Sequence, residues 1–174
     1  GQEGGSVVTI VNAGYRGSTV DGFTIRHGTG TTPDGYMRYG GGIYCFSSPI
    51  TIANNVITQN NLSGGYTYGA GLCCIGSDVN LTNNVITDNH SSAIAEGHGG
   101  AVYSDSGTLT LTANTITDNT STRWGGAISC VAAVLNGNTF LRNSSSRGGV
   151  VCCQSQSSLT ASNNVFAGNS ADQG

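Results

Sequence analysis

The chain has 174 residues, 28 of them Gly, with 9% charged and 7% aromatic residues and a net charge of −3. That length fits one domain, and the 37% apolar content, spread in clusters of two or three, argues against disorder. No run approaches the roughly 18 apolar residues of a membrane-spanning helix, and the basic residues (Arg16, Arg26, Arg38, Arg123, Arg142, Arg147) stand singly, which argues against nucleic acid as a partner.

From the N-terminus, Gly4-Gly5-Ser6-Val7-Val8-Thr9 reads as a short strand entered through a Gly pair, and Gly22-Phe23-Thr24-Ile25 as a divergent first copy of a motif that recurs along the chain. Later copies are Asn54-Asn55-Val56-Ile57, Asn83-Asn84-Val85-Ile86, Ala113-Asn114-Thr115-Ile116, Gly137-Asn138-Thr139-Phe140 and Asn163-Asn164-Val165-Phe166. Each follows a first piece (Ile50-Thr51-Ile52, Val79-Asn80-Leu81, Leu109-Thr110-Leu111, Ala133-Val134-Leu135, Leu159-Thr160-Ala161). A third piece is entered through Gly or Ala: Ile43-Tyr44-Cys45, Leu72-Cys73-Cys74, Val102-Tyr103-Ser104, Ile128-Ser129-Cys130 and Val151-Cys152-Cys153. All alternate as strands do. A repeat of this size is the signature of a solenoid. The expectation is an all-β parallel β-helix, one domain over 1–174, with three short strands per rung. About six rungs start near Ser18, Ile50, Val79, Leu109, Ala133 and Leu159.

Stacking rungs at about 4.8 Å would align Ile52, Leu81, Leu111, Leu135 and Ala161 into one interior stripe. Ile25, Ile57, Ile86, Ile116, Phe140 and Phe166 would line a second wall, and Ile43, Leu72, Val102, Ile128 and Val151 a third. Two polar columns, Asn55, Asn84, Asn114, Asn138, Asn164 and Asn60, Asn89, Asn119, Asn143, Asn169, are expected to form Asn ladders that bond from rung to rung.

The pairs Phe140 to Asn143 and Phe166 to Asn169, with Ile replacing Phe at Ile57, Ile86 and Ile116, resemble the Phe-x-x-Asn repeat of polymorphic outer membrane proteins. So do the Gly-Gly-Ala-[Ile/Val] segments Gly125 to Ile128 and Gly99 to Val102. More broadly, the chain from about Val7 to Asn169 is similar to right-handed parallel β-helix proteins of the pectate-lyase-like superfamily. That superfamily includes polysaccharide lyases and hydrolases, phage tail spikes, adhesins and autotransporter passengers. The resemblance implies right-handedness and an extracellular or cell-surface setting; it does not choose an activity.

Catalytic residues are not expected. Gly97-His98-Gly99 resembles a segment of polygalacturonase-type hydrolases, but the accompanying Asn-x-Asp and Asp-Asp are missing, so His98 reads as part of a rung entry. His27 and His90 read as turn residues. Asp88 and Asp118 share a column with Gln59, Arg142 and Gly168, so they are the candidate calcium pair, against the plainer reading of a solvated turn relieved by Arg142. No other metal or cofactor is expected. Cys45, Cys74, Cys130 and Cys153 fall in one inward column interrupted by Ser104. Equivalent Cβ atoms near 4.8 Å exceed the roughly 3.8 Å of a relaxed disulfide, so a buried thiol stack is expected. Cys73 and Cys152 are expected to point outward, about 14 Å apart. A flat β-branched array (Val56, Thr58, Val85, Thr87, Thr115, Thr117) covers the second wall, and Tyr36, Tyr39, Tyr44, Tyr66, Tyr68 and Trp124 offer a ligand face suited to a glycan.

Gly4 to Thr9 aligns with Gly148 to Cys153, placing Ser6 over Val150 and Thr9 over Cys153. Neither end reads as capped, and open strand edges are templates for pairing. Head-to-tail stacking is therefore expected, with Ser6, Val7, Val8 and Thr9 docking on Val150, Val151, Cys152 and Cys153, and Val20 and Ile25 on Leu159, Ala161 and Phe166. Such a contact does not close and gives a filament; the rival is a segment of a longer adhesin or enzyme. The function expected is an extracellular, non-catalytic structural β-solenoid, a filament subunit or adhesin stalk that associates with itself and with a glycan or cell-surface ligand, and does not insert in membranes. The alternative is a polysaccharide-binding or polysaccharide-cleaving domain.

Overall fold

A computed structural model describes residues 4–14 and 17–173; Glu3 and Arg16 of the charge inventory lie outside the described residues. Regular structure is all β, in three parallel sheets of ten, six and six strands that wind into a solenoid with three strands per rung. No helix is long and apolar enough to cross a membrane.

The second sheet shows most simply why the sequence folds this way. Thr24–Arg26, Val56–Thr58, Val85–Thr87, Thr115–Thr117, Thr139–Leu141 and Val165–Ala167 are three-residue strands with one apolar side chain inward between two outward residues, several of them β-branched. Each is bounded by corners in the left-handed region, such as Asn54 (φ 55°) before and Gln59 (φ 54°) after Val56–Thr58. The expected columns form. Ile25, Ile57, Ile86, Ile116, Phe140 and Phe166 pair in register. So do Val20, Ile52, Leu81, Leu111, Leu135 and Ala161, and Ile43, Leu72, Val102, Ile128 and Val151. Ile57, Ile86, Leu81 and Leu111 have no exposed surface; full burial of each contributes about 1.5–3 kcal/mol.

The walls differ in assignment from the sequence reading. The strands read as the third and first walls lie in one ten-stranded sheet, joined where Ile128–Asn136 runs through both. The third sheet is built from segments read as loops: Met37–Tyr39, Asn61–Tyr68, His90–His98, Thr120–Trp124, Ser144–Arg147 and Ser170–Gln173. Its buried side chains are Thr67, Ser91, His98, Ser121 and Ser145 beside a single aliphatic one, Leu62. With hydroxyls in place of apolar residues, these strands show no apolar alternation.

Two corrections concern the N-terminal layer. Val8–Val11 pairs Val8 with Ile43, Thr9 with Tyr44 and Ile10 with Cys45, one residue later than aligned. Val8 and Ile10 pack against the core while Val7 is 50% exposed. A one-residue slip exchanges the faces of a strand, so the larger apolar side chains select the register. The edge expected to be uncapped is covered at one point, on the third sheet, while the first strands of the other two sheets keep one open side. Thr31 forms an antiparallel bridge with Tyr39 through hydrogen bonds of 2.8 and 2.9 Å, so the chain doubles back over the edge of the third sheet. The Ser6 hydroxyl fixes this reversal, 2.7 Å from Thr31 Oγ1 and bonded to the Gly40 carbonyl.

Candidate functional site

Tyr39, Tyr68, His98, Trp124, Arg147 and Gln173 stand in register on the third sheet. A rung spacing near ring-stacking distance turns that register into a ladder. Tyr39 and Tyr68 stack at 5.2 Å, Tyr68 and His98 at 5.1 Å, and His98 and Trp124 at 6.2 Å, with interplanar angles of 16°, 15° and 21°. The Arg147 guanidinium lies 4.6 Å from the Trp124 centroid and its Nε donates to Gln173 Oε1 at 2.9 Å. Each ring pair adds about 0.5–1.5 kcal/mol beyond its burial. Because the faces meet one another, the column offers mainly ring edges to a ligand.

Of the expected ligand face, Tyr39, Tyr68 and Trp124 belong to this column. Tyr36, 64% exposed, and Tyr66 form a separate outer pair at 5.4 Å. Tyr44 and Tyr103 pack alongside, 5.7 Å from Tyr39 and 4.9 Å from Tyr68. Sequence reasoning missed His98 and Arg147 as members. A signal existed: Tyr39, Tyr68, His98, Trp124 and Arg147 each immediately precede a corner glycine, namely Gly40, Gly69, Gly99, Gly125 and Gly148.

His98 is 6% exposed, and burial pushes its imidazole below the ordinary His value, partly opposed by Glu96 at 3.5 Å. Its Nδ1 lies 3.4 Å from Ser129 Oγ. Glu96 also pairs with Arg123 at 3.5 Å, whose guanidinium lies 5.7 Å from the Trp124 centroid. Burial likewise pushes the Tyr39 and Tyr103 phenols upward. Cys73 faces away from the core, as expected, but the side chains around the column enclose it completely: it has no exposed surface, and burial holds its thiol well above the usual range.

Asp118 is engaged by Arg142, whose Nε and Nη2 donate to its two oxygens at 2.7 and 2.8 Å, while Thr117 Oγ1 donates at 2.6 Å. Arg142 first, then Thr117, holds this carboxyl below its ordinary value. Asp88 occupies the same left-handed corner one rung away, at φ 53°. Among the described residues no group of three or more His, Cys, Asp or Glu converges as a metal site. A cleft of about 680 Å³ opens outside the ten-stranded sheet, lined by Asn12, Ser47, Pro49, Ser77, Asp78 and Gly107 among others. Asp78 there accepts from the Thr108 N–H at 2.8 Å, so it ties together the corners of two neighbouring rungs.

The expected docking residues divide by burial. Val20 and Ile25 are 8% and 2% exposed, already inside the first layer. Val150, Val151, Cys152 and Cys153 are half-buried, as is Ser6, while Thr9, Leu159, Ala161 and Phe166 are exposed. Phe166 stacks on Phe140 at 5.1 Å and 3°. All six cysteines are free thiols.

Both Asn ladders are continuous. The first runs through Asn55, Asn84, Asn114, Asn138 and Asn164 by side-chain bonds of 3.0–3.1 Å. The second runs through Asn60, Asn89, Asn119, Asn143 and Asn169 at 2.9–3.0 Å. On the N-terminal layer the backbone N–H groups of Phe23 and Gly28 take the Asn positions, each donating at 2.9 Å to Asn55 and Asn60. In comparison with known proteins, the right-handed beta helix region matches residues 6–173. No curated protein and no solved structure matches the chain.

Proposed function

We propose that this chain, which belongs to the right-handed β-helix family, serves as a rigid structural stalk of an extracellular or cell-surface adhesin, without catalysis of its own. The continuity of the two Asn ladders carries the reading: each rung is bonded to the next in the same way, so the molecule is built to hold length. Six layers at about 4.8 Å span about 29 Å. The groups that chemistry would recruit are occupied in packing: His98 within the aromatic column, Asp118 on Arg142, and the inward thiols in the core. The exposed Tyr36–Tyr66 pair is the face for a glycan or surface ligand.

Between stalk and self-assembling filament, the N-terminal layer favours the stalk. A second copy stacked on Val165–Ala167 would bring Phe23 and Gly28 over Asn164 and Asn169, where the ladders take Asn. It would also have to displace Thr31 from Tyr39. Sedimentation velocity at tens of micromolar, with fractionation of the native cells, tests the reading. Monomers and a surface or secreted location are expected. Concentration-dependent filaments would restore the head-to-tail alternative, and a purely intracellular location would overturn the proposal. Cleavage of a uronate polymer with calcium, lost in Asp88→Ala/Asp118→Ala, would make the chain an enzyme instead.

A further inference from the structure

We propose that the solenoid carries two rung-to-rung disulfide sites, Cys45–Cys74 and Cys130–Cys153, closed by a low-molecular-weight disulfide or a peroxide. The connectivity follows from register. Cys45 pairs directly with Cys74, Cys74 with Ser104, Ser104 with Cys130, and Cys130 with Cys153. Ser104 therefore separates Cys74 from Cys130 by two rungs, about 9.6 Å, beyond the roughly 7 Å at which two Cα atoms can be bridged. Six cysteines allow 15 complete pairings, and the column reduces them to these two links with Cys73 and Cys152 left free. Cys73 lies enclosed on the opposite face of the sheet, three rungs from Cys152.

Adjacent rungs hold equivalent Cα atoms about 4.8 Å apart, inside the 4.4–6.8 Å window of native disulfides. The Cβ atoms must close by up to about 1 Å, which strains the bond and makes it more reducible than a relaxed one. Within each pair the two residues stand directly opposite one another on neighbouring rungs. Burial holds the Cys74 thiol well above its usual range, whereas the neighbouring Cys74 lowers that of Cys45. Cys45 also approaches the Ser48 carbonyl at 3.0 Å and Ser77 Oγ at 3.8 Å, and Ser77 forms part of the cleft wall. In the other pair burial pushes Cys130 up, while Cys153 is half-buried and so within reach of an oxidant.

For Cys130–Cys153, the Cys153 thiolate attacks a sulfur of oxidised glutathione, forming a mixed disulfide and releasing one glutathione thiolate. Cys130 then loses its proton, attacks the Cys153 sulfur and expels the second. Two electrons pass to the oxidant, and the two protein protons end on two glutathione thiols. Cys45 and Cys74 have no exposed surface, so this pair closes more slowly, on partial opening. One thiolate attacks hydrogen peroxide and breaks its O–O bond, giving a sulfenic acid and one water. The other thiol displaces the sulfenic oxygen as a second water, so that two electrons pass to the peroxide. A physiological role rests on the extracellular placement proposed above, where disulfides persist. The chemistry does not, so the purified full-length chain separates the two.

That protein is incubated with oxidised glutathione and then hydrogen peroxide, alkylated before and after denaturation, and mapped by peptide mass spectrometry. The expected result is loss of two hydrogens in a Cys130–Cys153 cross-linked peptide first, a Cys45–Cys74 peptide later, and Cys73 and Cys152 as alkylated thiols. Cys153→Ser should abolish the first cross-link and spare the second, with unchanged circular dichroism; Cys74→Ser should do the converse. Should Cys153→Ser misfold, wild-type mapping still decides. Six free thiols after exhaustive oxidation, or cross-links through Cys73 or Cys152, would overturn the inference.

Discussion

Asn119 receives hydrogen bonds from the backbone N–H and side-chain amide of Asn89 at 3.1 and 2.9 Å, and its Nδ2 lies 2.9 Å from both the Ile86 and Thr117 carbonyls. It has no exposed surface, so truncation strands several polar groups at about 1–3 kcal/mol each. Asn119→Ala should cost about 3 kcal/mol or more in urea unfolding. Asn169→Ala, at a half-buried position, should cost roughly 1 kcal/mol because water can replace its bonds. Equal losses would mean that burial does not set the strength of the ladder. His98 gives the residue-scale pH dependence. Its folded value lies below the model-compound 6.5 because burial disfavours the imidazolium, with Glu96 opposing and Arg123 reinforcing the shift. The unfolded chain therefore binds the proton more readily, and stability rises with pH in that window. The contribution is fully present above about pH 6.5 and is lost as pH falls through the folded value. The melting temperature of the wild type should fall across this range more than that of His98→Phe. Emission from Trp124, the sole tryptophan, should titrate with it. Parallel curves for the two proteins would remove His98 as the cause.

Corners, more than strands, decide which substitutions an element tolerates. At the first corner Gly22, Asn54, Asn83, Ala113, Gly137 and Asn163 all have positive φ, and Ala113 at 55° is neither Gly nor Asn. A non-Gly residue there costs about 1–2 kcal/mol of backbone strain, so Ala113→Gly should stabilise by several tenths to about 1 kcal/mol. At the third corner Gly125 has φ 63° and an added Cβ would strike the Ile128 carbonyl, so Gly125→Ala should cost about 2 kcal/mol or more. Thermal unfolding of both variants checks the opposite signs; a stable Gly125→Ala would show that the corner can shift. The same elements show what the sequence discloses. Ile57, Ile86 and Ile116 repeat in columns because apolar periodicity reports burial, and the Asn columns repeat with them. The third sheet was not legible, since Ser91, Ser121 and Ser145 fill its interior and alternation counts only apolar residues. Ser121 Oγ finds no partner there, a penalty that no periodicity rule anticipates. The aromatic column was half legible: Tyr68 and Trp124 stand out as aromatics, whereas Arg147 is marked only by its place before the corner glycine Gly148.

As a whole molecule the solenoid is quasi-one-dimensional, because each layer bonds mainly to its two neighbours and stability is a sum of layer and interface contributions. Deleting residues 79–108 removes one turn and joins Asp78 to Leu109, which stacks directly on Val79. Ile50 should then meet Leu109, Ile52 meet Leu111, and Asn55 and Asn60 bond to Asn114 and Asn119, so every column continues one layer shorter. The shortened chain should fold, keep its β circular dichroism, lose length by about 4.8 Å, and show an m-value reduced in proportion to the surface removed. It also loses Asp88, Glu96 and His98 together, so the pH dependence ascribed to His98 should vanish. A stalk tolerates that loss. Surface display of the native protein should survive the deletion, whereas a function centred on those side chains should disappear with them. Ser104 goes as well, bringing Cys74 beside Cys130, so oxidation of the shortened chain should yield a new Cys74–Cys130 link in competition with the two original ones. A shortened chain that folds but keeps only the original links would break the tie between register and reactivity, and one that fails to fold would show that the layers are not interchangeable.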